Sequence, residues 1–485
     1  MFTLSDRVSG VDYVLAVLHK SAPGAHVGAQ SSGFDLGVND PTGLRRLPSA
    51  NVTMTNTASI FLITGSIRVD PGTQSETHRN KTDPPFPWVG LITLAVAVFL
   101  SVTSEMLPTG LLPEMSRSLG VAESQIGLLV SWFAFTVVLT SAPVAIWTRR
   151  FSRHGLIIVV LVVFAVSNIL TAIAPTYELV VAARVLGGVA HGLFWSVVGA
   201  YAGHLVPKAQ IGRAVSITVA GGTLAFVFGV PLGTAGGHLL GWRLSFVVLA
   251  ALMLVGAVLV WKFLPPVARY STGAPVSAAL RVAGEPRDPK TKRPRDATVP
   301  AVVLICIITG ITMIGHYSFY TYVAPFLLDG LGVDLGLVAP LLFAYGVAGA
   351  VGLLFVGTIF GPRPSLGLIL GLAVSALSVT LLAVFTATLP VAIAAFVLWG
   401  MAFGMLAPLL QTRMLHAASP QIRDTASAFY TTAFNAGIGG GALLGAVLLD
   451  SVGLKMVPIV YVGLLVVALV LVIVTDRMTH KRSRG

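Results

Sequence analysis

Three titratable side chains lie inside long apolar stretches of this sequence: Glu105, Arg184 and His191. A charge at the centre of a membrane-spanning helix costs about 2.5–3.5 kcal/mol, so a residue of this kind is a candidate for function. We expect Glu105 and Arg184 to lie at similar depth and to pair. Because an arginine keeps its charge while apolar surroundings favour a neutral carboxyl group, the two together would bind and release a proton.

Further polar residues share the helix faces of these three. Ser101 and Thr109 stand four residues before and after Glu105, which predicts one polar stripe that faces a water-filled cavity. His191 and Trp195 lie on one face of the helix that carries the arginine. For both we keep two roles open: ordinary packing, or proton transfer at His191 and substrate contact at Trp195.

The elements that position these residues must lie in lipid, because 55% of the 485 residues are hydrophobic and only 10% are charged. A soluble domain carries about 25% charged residues. Twelve apolar stretches are long enough to cross the roughly 30 Å hydrocarbon core as helices, and they lack the alternation of barrel strands. Their predicted bounds are 88–112, 125–147, 155–175, 178–201, 214–237, 244–264, 300–326, 337–360, 366–388, 390–413, 424–449 and 454–475. The prediction is an all-α integral membrane protein with twelve transmembrane helices.

The basic residues are distributed unevenly between the two sides of this membrane protein. With the N-terminus in the cytoplasm, 27 of the 31 Lys and Arg residues lie on the cytoplasmic side, which is the positive-inside pattern. This predicts a multi-pass protein of the cytoplasmic (inner) membrane with both termini in the cytoplasm. Attraction to lipid headgroups then explains the net charge of +12, so nucleic acid is not an expected partner.

Composition divides the chain into five predicted segments. The first is a disordered cytoplasmic extension, or the product of too early a start codon, with the working protein beginning nearer Met54 or Val69. The third, rich in Pro and charge, is a cytoplasmic linker between two six-helix bundles, and the last is a basic cytoplasmic tail. The segments are 1–87, 88–264, 265–299, 300–475 and 476–485. Cys306 is the single cysteine, which excludes an internal disulfide; we expect neither a metal nor a cofactor.

The second bundle repeats the first at a constant offset of 212 residues. Val185–Gly192 falls on Val397–Gly404, and Gly229, Gly233 and Gly241 fall on Gly441, Gly445 and Gly453. Glycines that recur at one offset across two helices indicate a duplication. Two pseudo-symmetric six-helix bundles with a substrate site at their interface are a transporter architecture.

The same offset identifies candidate residues in the second bundle. It carries the carboxylate of the first bundle onto Tyr317, which stands beside His316. Tyr320 lies on the His316 face of the same predicted helix, and Tyr322 lies next to it. Asn435, polar and mid-span, is expected to donate a hydrogen bond to substrate or to another helix. We expect these residues to line the substrate cavity.

Taken together, these stretches resemble the major facilitator superfamily. Within it they are most similar to the twelve-span drug:proton antiporters, above all the bacterial sugar-efflux (arabinose-efflux permease) group. The resemblance covers about residues 88–475. It is carried by Glu105–Pro113, Arg184–Trp195, Gly229–Gly233, Gly241–Arg243, Gly315–Tyr322 and Asn435–Ile438. It implies the major facilitator fold.

Three of these stretches resemble named motifs of the family. The one that begins at Arg184 resembles motif B, which implies proton transfer. Gly229, Pro231 and Gly233 resemble the antiporter motif C, with Val230 inserted where the general pattern has Gly and Pro adjacent. The loop with Arg149, Arg150 and Arg153 resembles motif A without its usual Asp, so these arginines serve either a gate or the topology alone.

From these features we expect a secondary active exporter that works as a monomer by alternating access and exchanges protons for a small organic solute. The chain has no Gly-x-x-x-x-Gly-Lys-Ser/Thr loop for ATP, and it lacks hydrolase and metalloprotease motifs, so we do not expect an enzyme. The resemblance implies a sugar or sugar-like solute. The alternative is a multidrug or amphenicol-like antibiotic, which would suit the aromatic side chains Trp132, Phe133, Trp195, Tyr317 and Tyr345. A non-transporting membrane receptor is a remote alternative.

Overall fold

The computed structural model describes residues 86–207, 210–266 and 296–482. Within them, twelve helices are long and apolar enough to cross a membrane. They are α1 (Trp88–Gly110), α2 (Glu123–Trp147), α3 (Arg153–Ile173), α4 (Tyr177–His204), α5 (Ile211–Leu240), α6 (Trp242–Phe263), α7 (Val299–Tyr320), α8 (Leu335–Phe360), α9 (Pro364–Val384), α10 (Leu389–Ala417), α11 (Arg423–Ser451) and α12 (Met456–Arg482). The predicted all-α class is confirmed. The expected extension and linker lie almost wholly outside the described residues.

Some helix ends differ from the predicted spans. α1 stops at Gly110, and a short helix, Leu112–Leu119, follows with Pro113 in its first turn. This short helix ends at Gly120, whose φ of 65° is left-handed, a conformation that glycine adopts without strain. α12 continues past the predicted 475 to Arg482, because charged residues end a membrane span but not a helix.

The duplication is visible in the backbone. Adding 212 to the first residue of each of α1 to α6 gives the first residue of α7 to α12 to within two residues. The glycines with positive φ recur at the same offset: Gly120 and Gly332 have φ of 65° and 66°, and Gly241 and Gly453 have 90° and 85°. The two bundles therefore make the same turns at equivalent places.

Helix packing repeats in the same way. In the first bundle α1 contacts α5 and α6, α2 contacts α4, and α3 contacts α4 and α6. In the second bundle α7 contacts α11 and α12, α8 contacts α10, and α9 contacts α10 and α12. The bundles meet along two seams, α2 with α11 and α5 with α8. These seams enclose the centre of the molecule, where α1 and α7 lie.

Glycine allows α5 to approach α1 closely. A Cβ at Gly221 would lie 2.0 Å from the Ala95 carbonyl oxygen, and one at Gly229 would lie 2.0 Å from Thr103 Oγ1. Gly233 and Gly237 face α1 in the same way, and Pro231, between Gly229 and Gly233, is buried. The wide π-helical turn Ala225–Gly229 helps to keep glycines spaced by four on one face. The residues that resemble the antiporter motif thus form the α1–α5 contact.

The two bundles are tied together at one end of the molecule. Ser131 on α2 donates its hydroxyl to the Gly439 carbonyl oxygen on α11 at 2.8 Å. Tyr322, just after α7 in the second bundle, reaches across to the Ser124 carbonyl oxygen on α2 at 3.4 Å, and within its own bundle it donates to the Ala442 carbonyl oxygen at 3.0 Å. This is the end that the distribution of basic residues predicts to face outward.

The opposite end of the same seam is open. Buried residues of α2 extend from Ser124 to Val137. From residue 138 to Trp147, at the end of α2, every residue is at least partly exposed. Because α2 borders the second bundle, this exposure indicates a cleft between the bundles at the end predicted to face the cytoplasm.

Candidate functional site

Arg184 is fixed to the backbone of α1. Its terminal nitrogens donate to the backbone carbonyl oxygens of Ser104 and Glu105, both at 2.8 Å, and the side chain is buried. Four residues after Ser104 stands Pro108, which has no N–H, so the Ser104 carbonyl lacks its helical donor. Arg184 supplies that hydrogen bond. The expected pairing therefore differs in detail, since the guanidinium binds backbone oxygens and not the carboxylate.

The carboxyl group of Glu105 faces His191. Its Oε2 lies 3.5 Å from His191 Nε2. Trp195 donates from its indole nitrogen to the same Nε2 at 2.7 Å, and Ser101 Oγ lies 2.9 Å from Nδ1. Because an indole N–H only donates, Nε2 is an acceptor, and Nδ1 carries the proton that goes to Ser101. We call these residues the His191 cluster: Ser101, Glu105, His191 and Trp195.

Two further residues, Phe133 and Asn168, pack or hydrogen-bond near this cluster. The ring of Phe133 lies 4.4 Å from the guanidinium carbon of Arg184 and 5.2 Å from the His191 ring, so it stabilises the cation. Phe133 was expected in the cavity wall, but it is fully buried. Asn168 on α3, which the sequence analysis missed, accepts a hydrogen bond from the Ser104 hydroxyl at 3.0 Å. In the sequence, the only feature that distinguishes Asn168 is its amide side chain in the middle of an apolar span.

The second bundle holds an aromatic counterpart around His316. The His316 ring stacks on Phe403, with centroids 3.3 Å apart, and on Tyr320, at 5.3 Å. Trp399 donates to the Tyr461 hydroxyl at 3.2 Å, and that hydroxyl lies 3.4 Å from His316 Nδ1. We call the group the His316 cluster: His316, Tyr317, Tyr320, Tyr345, Trp399, Phe403 and Tyr461. Four of these are predicted from the sequence, whereas Trp399, Phe403 and Tyr461 are not among the predicted residues.

The His316 cluster reaches the first bundle at two points. Tyr317 lies within electrostatic range of Glu105, the residue to which the repeat relates it. The ring of Tyr320 lies 5.9 Å from that of Phe226 on α5. The two clusters therefore face each other across the centre of the molecule.

Two aromatic residues expected in the cavity lie elsewhere. Trp132 is 49% exposed and lies near Tyr177, at the beginning of α4. Tyr322 is fully buried in that seam, where its ring packs against Gly127 and Gly445. The structure thus assigns Tyr322 to the closed end of the molecule and not to a cavity wall.

Two polar residues expected in the cavity bond to their own helices. Asn435 donates its amide to the Thr431 carbonyl oxygen one turn earlier, at 2.9 Å. Thr109 donates its hydroxyl to the Met106 carbonyl oxygen at 2.7 Å. Such local bonds compete with bonds to a neighbour or a ligand. Both side chains keep further bonding groups, a second amide N–H and the carbonyl oxygen at Asn435 and the hydroxyl oxygen at Thr109, so their place in the cavity stays a prediction.

The arginines of the loop after α2 lie at the open end. The Arg150 guanidinium carbon lies 5.2 Å from the ring centroid of Phe151. Arg153 is the exposed first residue of α3, and the side chain of Arg149 is outside the described residues. These contacts fit a role in topology.

Comparison with known proteins decides the family. A family model described as Major Facilitator Superfamily matches residues 94–439 and, again, residues 305–485. The chain belongs to the major facilitator superfamily. The expected family is confirmed, and this major facilitator protein is a multi-pass membrane transporter that acts on small molecules.

Curated relatives of this transporter include two chloramphenicol efflux pumps of Mycobacterium tuberculosis, from strain CDC 1551 / Oshkosh and strain H37Rv. Each is 34% identical over 412 residues, which cover 82% of this chain and 94% of the relative. These names favour the antibiotic alternative over the sugar that we expected first. The sugar substrate gains no support from them.

Solved structures show the same fold. A D-xylose-proton symporter matches with a TM-score of 0.66 at 16% identity, over 80% of this chain and 97% of that one. A bacterial homologue of the human lysosomal transporter Spinster, inward-facing and occupied, matches with a TM-score of 0.63 at 17% identity, over 81% and 97%. At this identity the likeness supports the fold alone.

Proposed function

We propose that this transporter exports a neutral, amphenicol-like antibiotic in exchange for protons. It works as a monomer by alternating access in the bacterial inner membrane, with both termini in the cytoplasm. The observation that carries the proposal is the buried Glu105 carboxyl group, 3.5 Å from His191 and at the centre of the molecule. The two relatives named chloramphenicol efflux pumps support the choice of solute.

The hydrogen bonds around His191 give Glu105 two distinct states. Since His191 Nε2 accepts from Trp195 with its single lone pair, it carries no proton, so an ionised Glu105 receives no hydrogen bond from it. Glu105 Oε1 is buried and has no hydrogen-bond partner among the described residues, so the ionised form is poorly satisfied here. Proton binding from outside therefore stabilises this outward-closed form, and proton loss destabilises it.

The proton gradient is large enough for this exchange. A charge that moves through about 100 mV releases about 2.3 kcal/mol. Each tenfold gradient of a neutral solute costs about 1.4 kcal/mol. One proton per solute therefore sustains a gradient between about tenfold and a hundredfold.

The test is solute-induced proton movement in everted membrane vesicles, followed with a dye that reports the pH gradient. Chloramphenicol is expected to release protons from vesicles that contain the wild-type protein. Glu105→Gln keeps the shape and a hydrogen-bond donor but cannot titrate, so we expect at least a tenfold loss of chloramphenicol-induced proton release at normal membrane insertion.

The matched control is Glu178→Gln, which changes an exposed glutamate in the first turn of α4 and should keep wild-type exchange. Normal exchange by Glu105→Gln would contradict the coupling scheme. Proton release by L-arabinose or D-xylose, and none by chloramphenicol, would return the substrate to the sugar class.

A further inference from the structure

The His316 cluster contains two buried polar atoms without hydrogen-bond partners in the described part of the chain: His316 Nε2 and the Tyr345 hydroxyl oxygen. His316 is fully buried and Tyr345 is 3% exposed. An unsatisfied buried donor or acceptor costs about 1–3 kcal/mol. Two such atoms in one cluster suggest that a ligand satisfies them.

The hydrogen bonds of the cluster indicate what His316 offers. Trp399 can only donate, so the Tyr461 hydroxyl accepts from it. The hydroxyl proton of Tyr461 then goes to His316 Nδ1, which lies within 3.4 Å. In the other tautomer this hydroxyl proton would have no acceptor among the described residues, so we place the proton of the neutral imidazole on Nε2. His316 therefore presents an N–H donor with no acceptor.

The repeat indicates that this cluster is specialised. At the offset of 212, Glu105 corresponds to Tyr317, Arg184 to Phe396, His191 to Phe403 and Phe133 to Tyr345. Every charged or titratable member of the first-bundle site is thus replaced by an aromatic residue. The first bundle carries the charges that a proton needs, and the second carries rings that suit an aromatic solute.

One member of the His316 cluster, Phe403, is accessible from outside the cluster. Its other members are nearly fully buried, whereas Phe403 is partly exposed. Phe403 covers one face of the His316 ring. We take Phe403 as the point of entry, since a solute that displaces it would stack on His316.

We propose that the His316 cluster is the solute site: it stacks a neutral aromatic solute on His316 in place of Phe403, and His316 Nε2 donates to an acceptor group on the solute ring. The Tyr345 hydroxyl supplies a second hydrogen bond. This inference rests on the proposed export of an amphenicol-like drug and assigns its recognition to the second bundle. The nitrophenyl ring of chloramphenicol has the required chemistry, a flat ring with an acceptor.

The test is equilibrium binding of chloramphenicol to the purified protein, which needs no proton gradient. His316→Phe keeps the ring and removes the donor, so we expect Kd to rise about tenfold, the loss of about one hydrogen bond. His316→Gln, whose side-chain amide can donate from the position of Nε2, should bind within about threefold of wild type. Tyr345→Phe removes only the hydroxyl and should raise Kd about threefold to tenfold.

A second ligand makes the test specific. The analogue of chloramphenicol with an aromatic amine in place of the nitro group lacks the ring acceptor. The wild type should bind this analogue about tenfold more weakly than chloramphenicol. His316→Phe should bind the analogue and chloramphenicol with equal affinity. His416→Phe, at an exposed histidine near the end of α10, is the matched control and should bind as wild type.

The outcomes separate the two proposals. If wild type exports chloramphenicol and His316→Phe binds it unchanged, the site is wrong while the export function stands. If the His316 variants behave as expected and Glu105→Gln still couples, the site stands and the coupling scheme is wrong. If wild type neither binds nor exports chloramphenicol, both proposals fall.

Discussion

At Pro108 the backbone of α1 lacks an N–H, and this absence explains the position of Arg184. The carbonyl oxygen of Ser104, left without its helical donor, receives a hydrogen bond from Arg184 at 2.8 Å. A second bond goes to the Glu105 carbonyl oxygen. The guanidinium thereby holds α4 against α1 and leaves the Glu105 carboxyl group free to face His191.

Arg184→Lys should therefore disrupt the site although the charge is kept. A lysine ammonium is a single point and cannot span two carbonyl oxygens as the planar guanidinium does. We expect chloramphenicol-driven exchange to fall about tenfold or more, with a loss of about 1–3 kcal/mol in stability from an unsatisfied carbonyl. Exchange in vesicles and thermal unfolding in detergent measure the two effects.

The control is Arg153→Lys, at the exposed start of α3, which should change neither quantity. Unchanged exchange and unfolding in Arg184→Lys would show that the two carbonyl bonds are dispensable.

Residue by residue, the sequence singled out the polar side chains of the first bundle as candidates, but it did not predict which groups contact each other. Glu105, Arg184 and His191 stand out because charge is costly in lipid. The backbone bonds of Arg184 depend on a carbonyl freed by Pro108, and the positions of the charged residues give no sign of it. Trp399 and Tyr461 were missed because a mid-span aromatic residue is indistinguishable from ordinary packing until the fold brings it to His316.

Among the helices, the contact of α5 with α1 depends on glycine, and α11 repeats it against α7. Gly441 would place a Cβ 2.6 Å from the Ile314 carbonyl oxygen, as Gly221 would place one 2.0 Å from that of Ala95. Backbone atoms cannot move aside as a flexible side chain can. Both central helices are thus held by the same kind of contact.

Two adjacent glycines on α5 allow a matched test of this contact. Gly221→Ala would place its methyl group against the Ala95 carbonyl oxygen, whereas at Gly222 the nearest atoms, from Val98 and Val102, are 3.9 Å away. Overpacking costs about 1–3 kcal/mol, so Gly221→Ala should lower the unfolding temperature. Gly222→Ala should be neutral or slightly stabilising, since alanine favours the helix. Equal unfolding temperatures of the two variants would contradict the close approach of α5 to α1.

The helices themselves were predictable because lipid leaves few choices to the backbone. An apolar stretch of about 20 residues must pair its own amides, so span and helix nearly coincide. Their ends are set by local backbone geometry, which hydropathy does not report. The short helix Leu112–Leu119 was missed for this reason, and the continuation of α12 to Arg482 was missed because hydropathy ends a span before the helix ends.

At the scale of the whole molecule, the seam between α2 and α11 is closed at one end and open at the other. At the closed end the hydroxyl group of Ser131 on α2 bonds to Gly439 on α11, and that of Tyr322 in the second bundle reaches the Ser124 carbonyl oxygen on α2. An alternating-access transporter must break such contacts in each cycle, so they should be few and individually weak. Each hydrogen bond is worth about 0.5–1.5 kcal/mol, which fits a seam that opens reversibly.

Tyr322→Phe should shift the molecule toward the form that is open to the outside. The variant loses the long bond to the Ser124 carbonyl oxygen on α2 at 3.4 Å, worth about 0.5 kcal/mol, and so raises the population with an open outer end about twofold. The parent protein for this experiment has Cys306, the single cysteine, replaced by Ser. Ser131→Cys is then introduced as the reporter of this end, because Ser131 is only 4% exposed when the seam is closed. The measurement is the rate at which a membrane-impermeant maleimide labels this cysteine from outside.

Tyr430→Phe provides the matched control for this measurement. Its hydroxyl donates to the Ala407 carbonyl oxygen at 2.8 Å, which joins α11 to α10 inside the second bundle and crosses no seam. The control variant should therefore lose a similar bond without faster labelling. If Tyr322→Phe labels no faster than its parent, the Tyr322 bond does not hold the outer end closed, and closure must depend on the apolar contacts of α2 with α11.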